Sequence, residues 1–238
     1  MKVIITAGGT TEKIDDVRSI TNLSTGRLGN VIARSVLRNF GEKLERLYYI
    51  HGARAISPLG PKVVSISIGG VSDLEKALKD ILENEKIDVV IHSMAVSDYT
   101  VKELTTLEDL KEGKTLDAGK KISSDIDDLV IVMKKTPKVI SSIKSWSPNT
   151  LLVGFKLLSH MPEEELIEVG YALLMKNGCD FVLANDLKDL KEKTHKGFLI
   201  HQDKTYDTMD TKEEIGEIIS RRLLEKLGNR SGESTGEE

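Results

Sequence analysis

Five short runs, KVIITA, KVVSISI, IDVVIHSMA, TLLVGFKL and CDFVLAND, are rich in Val, Ile or Leu on both alternate positions. Strands of that kind need apolar cover on both faces, which a parallel sheet between helices supplies. The segments between them carry helical patterns: NVIARSVLRNF, VSDLEKALKDILENEK, TPKVISSIKSW and EEELIEVGYALLMKNG, the last closing on Asn177-Gly178 as a C-terminal stop. Strand alternating with helix implies right-handed crossovers. It predicts an α/β fold, a Rossmann-like doubly wound, mostly parallel sheet in three α/β/α layers, with ligands beyond the carboxyl ends of the strands. A chain of 238 residues suits one domain of this kind, read here as residues 1–227.

Two segments break the alternation. Residues 100–121, TVKELTTLEDLKEGKTLDAGKK, hold no sustained period and read as a mobile flap, with a hairpin-like piece after it, so the excursion covers about 100–135. The tail GNRSGESTGEE, residues 228–238, is small, polar and acidic, and is expected to be disordered. Charge narrows the partners: 34 basic against 38 acidic residues, net −4, supplies no field for nucleic acid. The single cysteine, Cys179, cannot form an internal disulfide, and the start MKVIITAGG lacks a signal-peptide pattern. No apolar run approaches the ~20 residues that cross a bilayer. The expectation is a cytoplasmic protein without nucleic-acid or membrane partners.

The stretch AGGTTEKIDDVRSITNLSTG places two glycine groups around a polar insert. It is not a dinucleotide fingerprint. GxGxxG is absent, and the second strand ends in His51-Gly52 where an acid would contact the ribose. None of Tyr48, Tyr49, Tyr99, Tyr171 and Tyr206 has Lys four residues on, and Glu108 stands where a Walker loop ending in Gly113-Lys114-Thr115 needs glycine. A single glycine pair would only permit a tight turn. Two groups, with Ser24, Thr25 and Gly26 at a helix N-terminus, point to phosphate.

In order along nearly the whole chain, ITAGGTTEKIDDVRSITNLSTGRLG, SMAVSDY, KKISS, MKKTPKVI, GFKLL and CDFVLANDL resemble phosphopantothenoylcysteine synthetase, or phosphopantothenate–cysteine ligase, of coenzyme A biosynthesis. The resemblance is to the stand-alone bacterial form, since no flavin-dependent decarboxylase domain precedes residue 1. It implies that a nucleoside triphosphate with Mg²⁺, CTP in bacterial members and ATP in animal ones, converts the carboxylate of 4′-phosphopantothenate to an acyl-nucleotide. Cysteine then displaces the nucleoside monophosphate. Family members are homodimers whose sites borrow partner residues.

The resemblance implies roles for particular positions. Asn22 matches the asparagine linked to turnover of the acyl-nucleotide, and Lys121, with Lys120 beside it, matches the lysine needed to form it. Arg18, Met94, Ala95 and Asp98 map to the substrate site, although Asp98 also reads as a helix N-cap. Gly8, Ser24, Gly26, Gly29, Pro137, Lys138, Val139, Ile140, Phe155, Lys176 and Asn185 map to the nucleotide. Pro137 would open a helix, and Phe155 reads equally as core. Ala172, basic in fused bacterial enzymes, and GFKLL in place of a GFAAE-like sequence depart from the CTP-using pattern. No metal ligands are assigned. The competing readings are an NAD(P)-dependent oxidoreductase and a non-catalytic nucleotide sensor.

Overall fold

The computed structural model describes residues 1–190 and 194–233, with side chains through Arg230. Along the chain run β1 (Lys2–Ala7), a small hairpin of β2 (Thr11–Lys13) and β3 (Ser19–Thr21), α1 (Arg27–Phe40), β4 (Arg46–Gly52), β5 (Val63–Ile68), α2 (Val71–Asn84) and β6 (Val89–His92). Then come β7 (Tyr99–Thr106), α3 (Leu107–Glu112), β8 (Leu129–Lys135), α4 (Ile140–Trp146), β9 (Leu151–Leu158) and α5 (Glu163–Asn177). The chain continues through β10 (Phe181–Asp186), β11 (Gly197–His201), β12 (Tyr206–Met209) and α6 (Lys212–Glu233).

Eight strands form one sheet in the order β12-β11-β10-β9-β6-β1-β4-β5. Alternation along β1 assigns the two faces. Val3, Ile5 and Ala7 pack with Ile32, Val36 and Phe40 of α1 and with Ile215, Ile219 and Leu223 of α6. Ile4 points the other way, into a core with Leu74 and Leu78 of α2, Ile143 of α4 and Leu174 of α5. The three layers and the parallel centre follow the sequence expectation.

Three features depart from it. First, β11 and β12 pair antiparallel on β10, from Ala184↔Phe198 to Gly197↔Met209, where strand–helix alternation gave no sign of a meander. Second, the excursion is more ordered than a flap. β7 pairs antiparallel with β8 from Tyr99↔Lys135 to Thr106↔Leu129, and a bulge between Val101 and Glu103 breaks the two-residue period that would have marked a strand. Third, α6 continues to Glu233, so 228–233 of the expected disordered tail are helical, and 234–238 lie outside the described residues. Arg230 holds that end down, donating to Asn149 O at 2.7 Å and lying 3.6 Å from the buried Asp180 carboxylate.

Candidate active site

In the sheet order β1 lies between β4 and β6, so the chain leaves β1 toward one edge and later returns to its other side. That is the switch point where open α/β sheets bind ligands. The loops beyond the two carboxyl ends knit together: Thr10 N–H donates to Ala95 O at 3.1 Å and Ala95 N–H to Gly8 O at 2.8 Å. Below them Thr6 Oγ1 meets His92 Nδ1 at 2.9 Å, and Ser93 Oγ donates to Thr6 O at 2.6 Å.

Beside this crevice lies a cavity of about 400 Å³, walled by the loop after β6, residues 137–140 leading into α4, and the ends of β9 and β10. Its lining mixes apolar side chains, among them Phe155, Val139, Ile140, Leu173 and Leu190, with polar ones, among them Ser97, Asp98, Lys138, Asn185 and His195. The cavity gathers ten expected residues: Ser24, Met94, Ala95, Asp98, Pro137, Lys138, Val139, Ile140, Phe155 and Asn185. A smaller recess of about 180 Å³ shares Ser24 and contains Asn22, with Gly9, Thr11, Thr21 and Arg54. Gly8, Gly26, Gly29, Arg18, Lys121 and Lys176 line neither.

The glycines act one step back. Gly8 and Gly26 have φ of +81° and +71°, and a Cβ on either would stand 2.7 Å from the Ala55 Cβ. Both turns therefore close on the turn after β4, which only glycine permits. Gly26 is also the N-cap of α1, and no side chain caps that helix. Ser24 and Thr25, which line the recess, immediately precede this uncapped start, an arrangement that suits an anion.

The Asn22 amide spends both of its N–H groups, on Ala95 O at 3.0 Å and Ser97 Oγ at 3.2 Å. Asp98 is not a helix cap: the strand β7 follows it, and its carboxylate pairs with the Lys138 ammonium at the exposed rim. The helix expected at Pro137 starts at Ile140, preceded by a turn in which Ser141 N–H donates to Lys138 O at 2.9 Å. Phe155 lines the cavity and packs against the core.

Arg18 faces away from the cavity. It donates to Asp15 Oδ2 through Nε at 2.9 Å and Nη2 at 2.6 Å, and to Ile122 O at 2.9 Å. Ile122 N–H returns a bond to the same carboxylate at 3.1 Å. The Arg18 guanidinium and three backbone N–H groups hold Asp15 well below the usual carboxylate range. This contact pins the loop between α3 and β8 one residue past Lys121. Lys121 is exposed and pairs with no described residue, whereas Lys120 lies 3.9 Å from Asp117. Lys176 is exposed on α5.

Four residues that the sequence did not single out stand at the site: Lys156, Arg54 and the histidines His92 and His195. Burial pushes both imidazoles down to about 4. A histidine closing the apolar run IDVVIH was a readable signal for His92; His195 had none, because β11 itself was not foreseen. Among the described residues no group of three or more His, Cys, Asp or Glu could hold a metal ion, and no helix is long and apolar enough to cross a membrane.

The cavity, the Asn22 recess and the uncapped start of α1 thus lie together at the switch point of a doubly wound α/β sheet. The family described as the DNA/pantothenate metabolism flavoprotein C-terminal domain matches residues 1–227, and the chain belongs to that family. The bifunctional coenzyme A biosynthesis protein CoaBC of Thermococcus kodakarensis is 32% identical over 227 residues, covering 95% of this chain and 49% of that protein. The chain spans about half the length of such relatives, 40% for the Methanocaldococcus jannaschii CoaBC. The solved DNA/pantothenate metabolism flavoprotein of Streptococcus pneumoniae superposes with a TM-score of 0.84 at 37% identity, covering 97% of this chain and 99% of that one. A Cab2 mutant in complex with phosphopantothenate-cysteine shares the fold, with a TM-score of 0.72 at 19% identity over 98% of this chain and 88% of that one.

Proposed function

We propose that the chain is a phosphopantothenate–cysteine ligase. The carboxylate oxygen of 4′-phosphopantothenate attacks the α-phosphorus of a nucleoside triphosphate, and the bond to pyrophosphate breaks. The cysteine amine then attacks the acyl carbon, loses a proton, and nucleoside monophosphate leaves. The observation that carries this reading is the convergence at one crevice of a partly apolar cavity, the uncapped N-terminus of α1 and the Asn22 recess. Names of relatives support it, since they join coenzyme A biosynthesis to a complex with phosphopantothenate-cysteine.

In this reading the base lies against Phe155, Val139 and Ile140, and the phosphates run toward Ser24 and α1. Lys138 exchanges Asp98 for phosphate oxygens. Lys121 reaches the triphosphate as its loop moves, and neutralises the charge that builds when carboxylate meets phosphate. Asn22 releases the longer of its two bonds, to Ser97 Oγ, which keeps Thr10 Oγ1 as a donor at 2.9 Å. The freed N–H then serves the acyl oxygen. Mg²⁺ would arrive on the triphosphate, held by phosphate oxygens, and would neutralise charge there. CTP is the favoured nucleotide and ATP the second. A cytoplasmic homodimer belongs to the same proposal; for the homodimer the support is Leu23, 96% exposed where it lines the Asn22 recess. Incubation with phosphopantothenate, cysteine, Mg²⁺ and CTP or ATP should yield the amide, identified by mass spectrometry. Unchanged substrates with both nucleotides would contradict the reading.

A further inference from the structure

One wall of the cavity pairs two buried polar side chains. Asn185 and His195 are each 6% exposed. The Asn185 Nδ2 group donates to His195 Nε2 at 3.2 Å. Its Oδ1 accepts from no described residue, and Asn185 lines the cavity, so with Nδ2 spent on His195 the oxygen is the end of the amide left for a ligand. An amide nitrogen cannot accept a hydrogen bond, so the pair requires a neutral imidazole with its lone pair on Nε2 and its proton on Nδ1. The fold keeps His195 in place: its N–H donates to Asp210 O at 2.7 Å, and it bridges Leu190. Burial keeps the ring neutral, holding it at about 4. The two ends of an amide have the same shape, so its partner decides which way it points.

We infer that His195 is a specificity-positioning residue, turning the Asn185 amide oxygen into the cavity so that the site takes a nucleobase with an exocyclic amine and rejects its oxo counterpart. This rests on the nucleotide-activating reading above. Cytosine and adenine offer the amine; uracil and hypoxanthine offer a carbonyl at the same position. A carbonyl there would set two acceptors face to face in a buried site, a loss of roughly 10- to 100-fold in affinity. Phe155, on the neighbouring strand, supplies the aromatic face for the same ring.

Calorimetric titration of the whole chain with Mg²⁺ compares CTP with UTP and ATP with ITP, without phosphopantothenate or cysteine. The wild type should favour the amino member of each pair by at least roughly 10-fold. His195→Leu leaves the Asn185 amide free to turn, and should bring each ratio within about 3-fold. His195→Gln offers Asn185 a donor as well as an acceptor and should recover only part of the preference, which a merely structural role for the ring would not predict. Equal affinities in the wild type, a preference for the oxo bases, or an unchanged ratio in His195→Leu overturns the inference. If His195→Leu does not fold, the wild-type ratios and His195→Gln decide it. Pyrophosphate release with phosphopantothenate, assayed in parallel, separates the two claims. Release with CTP and UTP alike at equal affinity sinks the inference alone, and no binding of any nucleotide sinks both.

Discussion

Asn22 and Lys121 divide the proposed chemistry by where charge sits. Forming the acyl-nucleotide brings a carboxylate against a triphosphate, so Lys121→Gln should block pyrophosphate release even without cysteine. Cysteine attack puts charge on the acyl oxygen, where one lost donor costs ~10²–10³ in rate. Asn22→Asp removes that donor and also faces Ala95 O with a carboxylate. It should therefore permit one round of release and let the acyl-nucleotide accumulate, detectable by mass spectrometry after an acid quench. Intermediate accumulating in Lys121→Gln, or loss of the burst in Asn22→Asp, would show that both residues serve one step. The family resemblance, carried by short motifs, pointed to Asn22, Asp98, Phe155 and Asn185, which line the cavity or its recess. Arg18 carried the right chemistry for substrate, but its nearest carboxylate, Asp15, sits three residues away and claims it here. His195 was invisible because β10 turns back into β11, a pairing that no local pattern encodes.

The element that most affects the site is the excursion from β7 to β8. Its sequence shows charge and glycine without period, and the bulge explains why a real hairpin looked irregular. What ties it to the rest of the molecule is the Asp15–Arg18 clasp on Ile122, which joins the loop to the β2–β3 hairpin. That hairpin is itself secured by Glu12, which accepts from Val71 N–H at the start of α2 and from Thr100 Oγ1 of β7. Arg18→Ala should quicken proteolysis within residues 113–128 by roughly 5- to 30-fold, the scale of one or two charge-assisted bonds, while leaving global unfolding nearly unchanged. Cutting at the wild-type rate would mean that the clasp does not hold the loop. With a folded carboxyl below its ordinary value, the clasp is fully formed above the usual carboxylate range and is lost only as pH falls through the lowered value. The antiparallel strands β11 and β12 and the helical run through Glu233 were also unread, because antiparallel pairing and the Asp180 anchor are tertiary facts.

At the scale of the molecule, both faces of the sheet are packed and two neutral histidines lie within it. His92 and His195 titrate near 4 in the fold and near 6.5 when unfolded, so below pH 6.5 the unfolded chain binds protons that the fold refuses. Stability should be level above pH 7 and fall as pH drops from 6.5 toward 4, by roughly 1 kcal/mol per unit for each histidine. Asp180, whose carboxyl is held low by Leu152 N–H and by Lys144 and Lys226 against the cost of its burial, adds a loss at more acid pH. Urea midpoints at pH 8, 6 and 4.5 check this, and His92→Gln should flatten the first decline; a level midpoint throughout would mean that both rings titrate freely. The central claim is that this crevice activates a carboxylate with a nucleotide. Its most direct test is pyrophosphate release from CTP or ATP with Mg²⁺ and 4′-phosphopantothenate, in the absence and then the presence of cysteine. The expected result is a burst of about one equivalent per site without cysteine, followed by sustained turnover once cysteine is added. No phosphopantothenate-dependent release with either nucleotide, with cysteine or without it, would contradict the account.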